Sequence, residues 1–268
     1  MAATVDTPVA LRVLQLTDSH LGEQPGERLL NLDTDHSLSA VLDLIEQEQD
    51  GCDLLLATGD IANHASVAAY QRFQRLTQHV APETLWLPGN HDDPTLIEQA
   101  LGQPLVKSAT LAGWLIIMLD STARGLVGGS FSEQELHYLQ QQLDNAGDSH
   151  VLLCLHHHPV NIGCAWLDEQ KVSNADDFFT IVDSCPQVRG IVWGHVHQQL
   201  DSQRKGVQLM STPSTCVQFA PASERFKLDR LNPGYRWLDL HADGSIASGV
   251  SRVTAVDFDI HYDNADGY

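Results

Sequence analysis

The feature that most restricts how this chain can fold is a repeated junction: five apolar runs each stop at Asp, His or Asn. Arg12 to Thr17 leads into Asp18-Ser19-His20, Asp53 to Thr58 into Gly59-Asp60, and Thr84 to Pro88 into Gly89-Asn90-His91-Asp92. Val151 to Leu155 leads into His156-His157-His158-Pro159, and Val188 to Trp193 into Gly194-His195-Val196-His197. Short apolar runs bounded by Gly, Pro and polar residues read as buried strands, and α/β folds carry their chemistry at strand ends. Helical patterns fall between them. Asp33 to Gln49 puts Leu38, Val41, Leu42 and Ile45 on one helical face, and Ser132-x-x-Glu135 reads as a capping box ahead of Leu136, Leu139 and Leu143. Alternation of this kind up to about residue 193 predicts an α/β sheet. The tail (Val207 to Met210, Thr215 to Phe219, Tyr235 to Leu240, Ile246 to Val253) reads as short strands and turns, and so as completing a second sheet over 207–253. With no linker, internal repeat or low-complexity stretch, residues 1–268 read as one domain.

Charge and cysteine content exclude several functions. A formal net charge of −20 repels polyanions, so no nucleic-acid polymer is expected as a partner. No apolar stretch approaches the roughly 18 to 20 residues of a membrane span, and no export signal precedes the first strand. Cys52, Cys154, Cys164, Cys185 and Cys216 are odd in number and lack a C-x-x-C spacing, which favours reduced thiols and a cytoplasmic location. Cys164 and Cys216 read as small semi-buried thiols rather than ligands. His36, His64, His79, His137, His150, His241 and His261 match no motif and read as surface or structural residues.

The order Asp-x-His, Gly-Asp, Gly-Asn-His-Asp, His-x-Pro, Gly-His-x-His, running from Asp18 to His197, resembles the calcineurin-like metallophosphoesterase superfamily. The resemblance implies an αββα sandwich of two mixed sheets with helices outside, and a site for two metal ions. By position in the motif, Asp18, His20 and His197 would hold one ion with Asp60, while Asn90, His195 and one residue of the histidine run would hold the other. Asp60 is the bridging candidate, since a carboxylate offers two oxygens and a full charge. Mixed imidazole and oxygen donors suit iron or manganese, with zinc possible, better than magnesium alone. Three successive residues after a strand cannot all face one ion. The family's His-x-Pro spacing selects His157, with His156 continuing the strand and His158 behind it.

Two metals would lower the pKa of a shared water, giving a bridging hydroxide for in-line attack on phosphorus, and would neutralise charge on the phosphoryl oxygens. His91 is the candidate to bind a phosphoryl oxygen or protonate the leaving oxygen. His20, Asp60, Asn90 and His91 are then expected at the substrate, together with Asn63, which could equally bond its own turn. Asp92 either orients His91 or, with Asp93-Pro94, simply starts the next helix.

Three further stretches narrow the resemblance to the bacterial 3',5'-cyclic AMP phosphodiesterases, the class III cyclic nucleotide branch. They are Leu155 to Pro159 with Gly163 to Asp168, Ser211 to Phe219, and Leu240 to Gly244, with the closing Asp266-Gly267-Tyr268. What this implies is hydrolysis of cAMP to 5'-AMP by a cytoplasmic monomer or homodimer. Trp166 and Phe219 would contact the adenine or else only pack. The same centre could serve a broader diesterase acting on other cyclic nucleotides or glycerophosphodiesters. A metal-stabilised nucleotide-sensing scaffold is the non-enzymatic alternative.

Overall fold

The structure, a computed structural model, describes residues 9–254 and 256–263. In chain order its elements begin with β1 (Val9–Leu16), β2 (Arg28–Leu29), β3 (Leu32–Asp33), α1 (Thr34–Glu48), β4 (Leu54–Thr58), α2 (Val67–Thr77), β5 (Thr84–Leu87) and α3 (Pro94–Leu101). They continue through β6 (Ser108–Leu111), β7 (Trp114–Met118), α4 (Glu133–Asp144), β8 (His150–Cys154), α5 (Ala165–Asp168), α6 (Ala175–Val182) and β9 (Val188–Trp193). The tail contributes β10 (Leu200–Arg204), β11 (Val207–Ser211), β12 (Gln218–Phe219), β13 (Leu228–Asp229), β14 (Gly234–His241) and β15 (Ile246–Arg252).

One sheet has the order β15-β14-β1-β4-β5 and the other β10-β11-β9-β8-β7-β6. The period-two alternation of side chains distributes each strand between two apolar layers. Val13, Leu54, Leu56, Leu85 and Leu87 of the first sheet meet Ile116, Met118, Leu152, Cys154 and Val192 of the second. On its other face the first sheet presents Leu14, Leu16, Leu55, Ala57 and Trp86 to Leu38, Val41, Leu42 and Ile45 of α1 and Phe73 of α2. The second sheet turns Ile117, Leu153 and Trp193 toward Leu139 and Leu143 of α4 and Phe178 and Val182 of α6. The result is the four-layer αββα sandwich with two mixed sheets. Because both faces of each sheet are covered, the central strands read as continuous apolar runs in the sequence.

Helix starts follow local chemistry. Asp33 caps α1 by accepting the His36 N–H (3.0 Å). Ser132 caps α4 through the Glu135 N–H (3.1 Å), but only half of the expected capping box forms. The Glu135 carboxylate turns instead to Lys107 and to the Asp120 N–H.

The tail departs from the expectation that it completes the second sheet. β11 joins β9 there, yet β14 pairs antiparallel with β1, from Leu11↔Leu240 to Gln15↔Arg236, and β15 extends the first sheet beyond it. The cause is the free edge of β1, to which β14 brings Leu238 and Leu240 for the inter-sheet layer and Tyr235 for the α1 side. Arg236, fully buried on β14, donates across the sandwich to Ser211 O (2.8 Å) and lies 2.8 Å from Asp201 of β10. Asp266-Gly267-Tyr268 lies outside the described residues. Among the described residues no helix is long and apolar enough to cross a membrane.

Candidate metal centre

The carboxyl ends of β1, β4, β5, β8 and β9 converge, and the five junctions meet there. Asp18, His20, Asp60, His195 and His197 all adopt left-handed backbone conformations, with φ between 46° and 64°. Such conformations cost on the order of 1–3 kcal/mol each and persist only where the surroundings fix them. Cross-links between the junctions do so here: Asp18 N–H donates to Gly59 O and His20 N–H to Asp60 O (both 2.9 Å), and Gly194 N–H donates to His156 O (3.2 Å). Buried Ser214 adds an Oγ–H bond to Asp18 O (2.7 Å), which gives the Ser211 to Phe219 stretch its place in the site. Glycine is required at three of the junctions: Gly59 has φ +93°, and a Cβ there would strike His156 and the Gly89 backbone. A Cβ at Gly89 would strike Asp60 and His156, and one at Gly194 would strike Thr17 and Asp18.

Asp18, His20 and His197 bring ligand atoms within 4.8 Å of one another, all buried. His197 Nε2 lies 3.3 Å from both Asp18 Oδ1 and His20 Nε2. Asp60 shares one close group with His20 and another with Asp18 and His156, so it stands between the two halves of the cluster as a bridging carboxylate must. Its Oδ2 is 3.2 Å from His156 Nε2 and 3.9 Å from His20 Nε2.

The histidine run offers two candidates, His156 and the His157 expected from the sequence. His156 Nε2 lies 3.2 Å from both Asp60 Oδ2 and Asn90 Oδ1, facing the cluster. His157 lies close enough to His156 and His195 to group with them, but both its ring nitrogens are committed elsewhere. Nε2–H donates to Val127 O (2.9 Å), so Nδ1 must accept from Ser121 Oγ–H (2.9 Å), and Ser121 Oγ in turn accepts the His157 N–H (3.0 Å). Turning His157 toward a metal would break this closed network. His158 is buried and faces Asp168 at 3.8 Å.

The outer nitrogens of two imidazoles fix their tautomers. His156 Nδ1 lies 2.8 Å from Thr58 O and His197 Nδ1 2.7 Å from Val217 O. A carbonyl only accepts, so each Nδ1 carries a proton, and Nε2 is the nitrogen turned to the cluster, where a metal ion would displace any proton it holds. His195 Nε2 is buried without a hydrogen-bond partner. That orphaned atom, two carboxylates, an amide oxygen and four imidazoles suit divalent or trivalent transition ions.

Electrostatics agree. Burial disfavours charge on His20 and His195 and holds both well below the ordinary histidine range. Burial also opposes charge on His156, but the Asp60 carboxylate outweighs it and raises His156 to about 9. Burial works against Asp60 as an anion as well, yet His156 and the neighbouring imidazoles keep it well below the carboxylate norm. A cation would take over the role of the His156 proton.

His91 donates its N–H to Asp60 Oδ1 (2.9 Å), its ring Nδ1 lies 2.8 Å from Asn63 O, and the ring stands edge-on to His20. Asn63 therefore contributes its backbone carbonyl. Asp92 neither orients His91 nor starts the helix. Its carboxylate accepts N–H bonds from Ile61, Ala62 and Gly89, tying two junctions together, while Asp93 caps α3. Burial, then repulsion from Asp60, raises Asp92 to about 6.

A cleft of about 350 Å³ opens onto the cluster. Asp60, Asn90, His91, His195 and His197 form its floor, and Trp166, Phe219 and Phe226 one wall. His20 is buried, and neither His20 nor Asn63 is among the described residues that line the cleft. The reason is that His20 turns its ring to His197 and Asp60, and Asn63 its carbonyl to His91. Phe226, unnoticed in the sequence, sits in a loop with no periodic signal.

A family model described as calcineurin-like phosphoesterase matches residues 11–199, spanning all five junctions. A Pseudomonas aeruginosa protein named 3',5'-cyclic adenosine monophosphate phosphodiesterase CpdA is 43% identical over 267 residues, 99% of this chain and 98% of its own. The protein of that name from Escherichia coli strain K12 is 41% identical over 252 residues, 92% of each chain. Among solved structures, a dimetal phosphatase from Danio rerio superposes with a TM-score of 0.59 at 16% identity, over 92% of this chain and 100% of that one. At that identity the likeness shows the fold alone.

Proposed function

Because the chain belongs to the calcineurin-like phosphoesterases, we propose that it is a metal-dependent 3',5'-cyclic AMP phosphodiesterase that opens the 3' ester bond to give 5'-AMP in the cytoplasm. The observation that carries the substrate is the 43% identity, over 99% of the chain, with a protein of that named activity. The chemistry draws its support from the donor cluster. Asp18, His20 and His197 would hold one ion and Asn90, His156 and His195 the other, with Asp60 shared. Two such ions, iron or manganese by donor type with zinc as the alternative, would make hydroxide available near neutral pH and would offset charge on the phosphoryl oxygens.

The chain's own groups do the rest. Thr58 O and Val217 O hold His156 and His197 in the tautomer that offers Nε2. Asp60 accepts the His91 N–H, and Asn63 O fixes the His91 ring over the floor of the cleft. As water oxygen, its proton given up to solvent, bonds to phosphorus and the P–O3' bond breaks, the 3' oxygen needs a proton, which a doubly protonated His91 would deliver from Nε2 while its Nδ1–H stays on Asn63 O. The apolar wall excludes water from one side of the substrate.

The test is a substrate panel on one metal-replete preparation, with cAMP, cGMP, 2',3'-cyclic AMP and glycerophosphocholine. We expect cAMP to give the highest kcat/KM, and exhaustive chelation to abolish turnover until manganese or iron is restored. Preference for glycerophosphocholine would replace the reading with a broader diesterase. Binding of cAMP without turnover in the metal-replete protein would make it a sensor.

A further inference from the structure

We infer that Arg124 is a further substrate-binding residue, which pairs from the rim of the site with an anionic oxygen of the phosphodiester. This rests on the phosphodiesterase reading above and deepens it, adding a cation that belongs to the chain itself.

A second cleft, of about 770 Å³, adjoins the one over the donor cluster. The two share Asn90, His91 and Val127, so His91 stands where they meet. A phosphoryl group held over His91 therefore lies at the mouth of the cleft that Arg124 lines. Among the lining residues of both clefts, Arg124 is the one Arg or Lys.

Its charge is also uncommitted. Arg12, Arg72, Arg204 and Arg236 each pair with a carboxylate, whereas Arg124 is exposed and has no hydrogen bond or ion pair among the described residues. Two carboxylates share its cleft, but both are occupied. Asp92 accepts N–H bonds from Ile61, Ala62 and Gly89, and Asp93 accepts them from Thr95 and Leu96. Neither needs a guanidinium to satisfy it.

The backbone under Arg124 is fixed before any ligand arrives. Ser130 N–H donates to Ser121 O (2.9 Å) and closes the neck of the loop, and Thr122 N–H and Oγ–H both donate to Asp120 Oδ1. At the tip, Leu126 N–H donates to Ala123 O (2.9 Å) around Arg124 and Gly125. Gly125 has φ 77°, the left-handed conformation that a type II turn demands at its third residue. Arg124 is thus the second residue of a defined turn.

Charge selects the occupant. In a cyclic nucleotide monoester ring the formal charge sits on the phosphoryl group, and a guanidinium matches its oxygens with paired donors. A chain of net charge −20 repels that anion at long range, so a lone cation at the entrance has an effect disproportionate to its size.

The experiment compares Arg124→Ala and Arg124→Lys with the parent protein, all metal-replete and with metal content measured in parallel. The substrates are cAMP and methyl p-nitrophenyl phosphate, a diester that keeps the anion and lacks the nucleoside. We expect KM of Arg124→Ala to rise by roughly 3- to 30-fold on both, between the effect of an exposed ion pair and that of a charge-assisted hydrogen bond, with kcat within about twofold. Arg124→Lys should recover part of the loss, and the parent's KM should rise more steeply with added salt than that of Arg124→Ala. Unchanged KM on both substrates would overturn the inference. A loss confined to cAMP would move the contact to the nucleoside and overturn the pairing with the phosphoryl group. Lost metal, or a fall in kcat with KM unchanged, would make Arg124 structural. A parent protein that hydrolyses the base-free diester but not cAMP would overturn the cyclic nucleotide reading alone, and KM for the base-free diester would still decide the role of Arg124.

Discussion

In and behind the floor of the cleft, Asp18, Asp60, His156 and His197 are almost fully buried and are cross-linked through the ends of several strands. On its wall, Trp166 and Phe226 are partly exposed and are carried by a four-residue helix and a loop. The floor tolerates little: a single Cβ added at Gly89 or Gly194 collides with its side chains. The wall holds its shape through ring contacts and Ser223, which joins its two segments. On the proposed reading, the difference makes bond-breaking and recognition separable. A change to the floor should disable every phosphodiester alike, whereas a change to the wall should spare the donor cluster.

The largest effect should follow Asp60→Ala, which removes the carboxylate standing between both halves of the cluster and leaves two cations with less compensation. Metal content by elemental analysis and turnover of all diesters should collapse together. Retention of both ions with substantial activity would break the comparison at its base.

His156→Ala and His157→Ala form the next test, because they are sequence neighbours with opposite assignments. We expect His156→Ala to lose one ion and its activity. His157→Ala should keep both ions and fall in stability by about 1–3 kcal/mol through the lost Val127 and Ser121 bonds, read from the urea midpoint. The reverse pattern of metal loss would restore the assignment made from the sequence.

His91→Ala should retain its metals and lose about 10²- to 10⁴-fold in kcat on cAMP. A nitrophenyl diester, whose leaving group scarcely needs protonation, should suffer much less if His91 acts as an acid. Equal losses would assign it to charge stabilisation. The smallest effect should come from Asp33→Ala, which removes the α1 cap, a residue of neither floor nor wall. It should cost about 0.5–2 kcal/mol in denaturant unfolding and leave every kcat/KM unchanged.

The floor was legible because its candidate ligands sit at strand ends, where apolar runs stop abruptly. Counting back from Pro159 selects His157, whereas the alternation of the strand favours His156. Val151, Leu153 and Leu155 pack on the helix side and Leu152 and Cys154 between the sheets, so the alternation carries His156, not His157, toward the interior. The tail was misassigned because its alternating strands suit either sheet, and only the free edge of β1 decides between them. Phe226 and the carbonyls of Asn63, Thr58 and Val217 left no trace, since loops have no period and a backbone carbonyl has no residue identity.

Five of the candidate site residues hold left-handed backbone conformations that glycine would adopt at far lower cost. Catalysis and durability therefore make opposing demands on the same positions. A library of this gene screened only for survival of heat, with no requirement for turnover, should drift first at Asp18, His20, Asp60, His195 and His197, toward Gly and Asn. The order in which positions are abandoned under such a screen would map the active centre without a substrate ever being added.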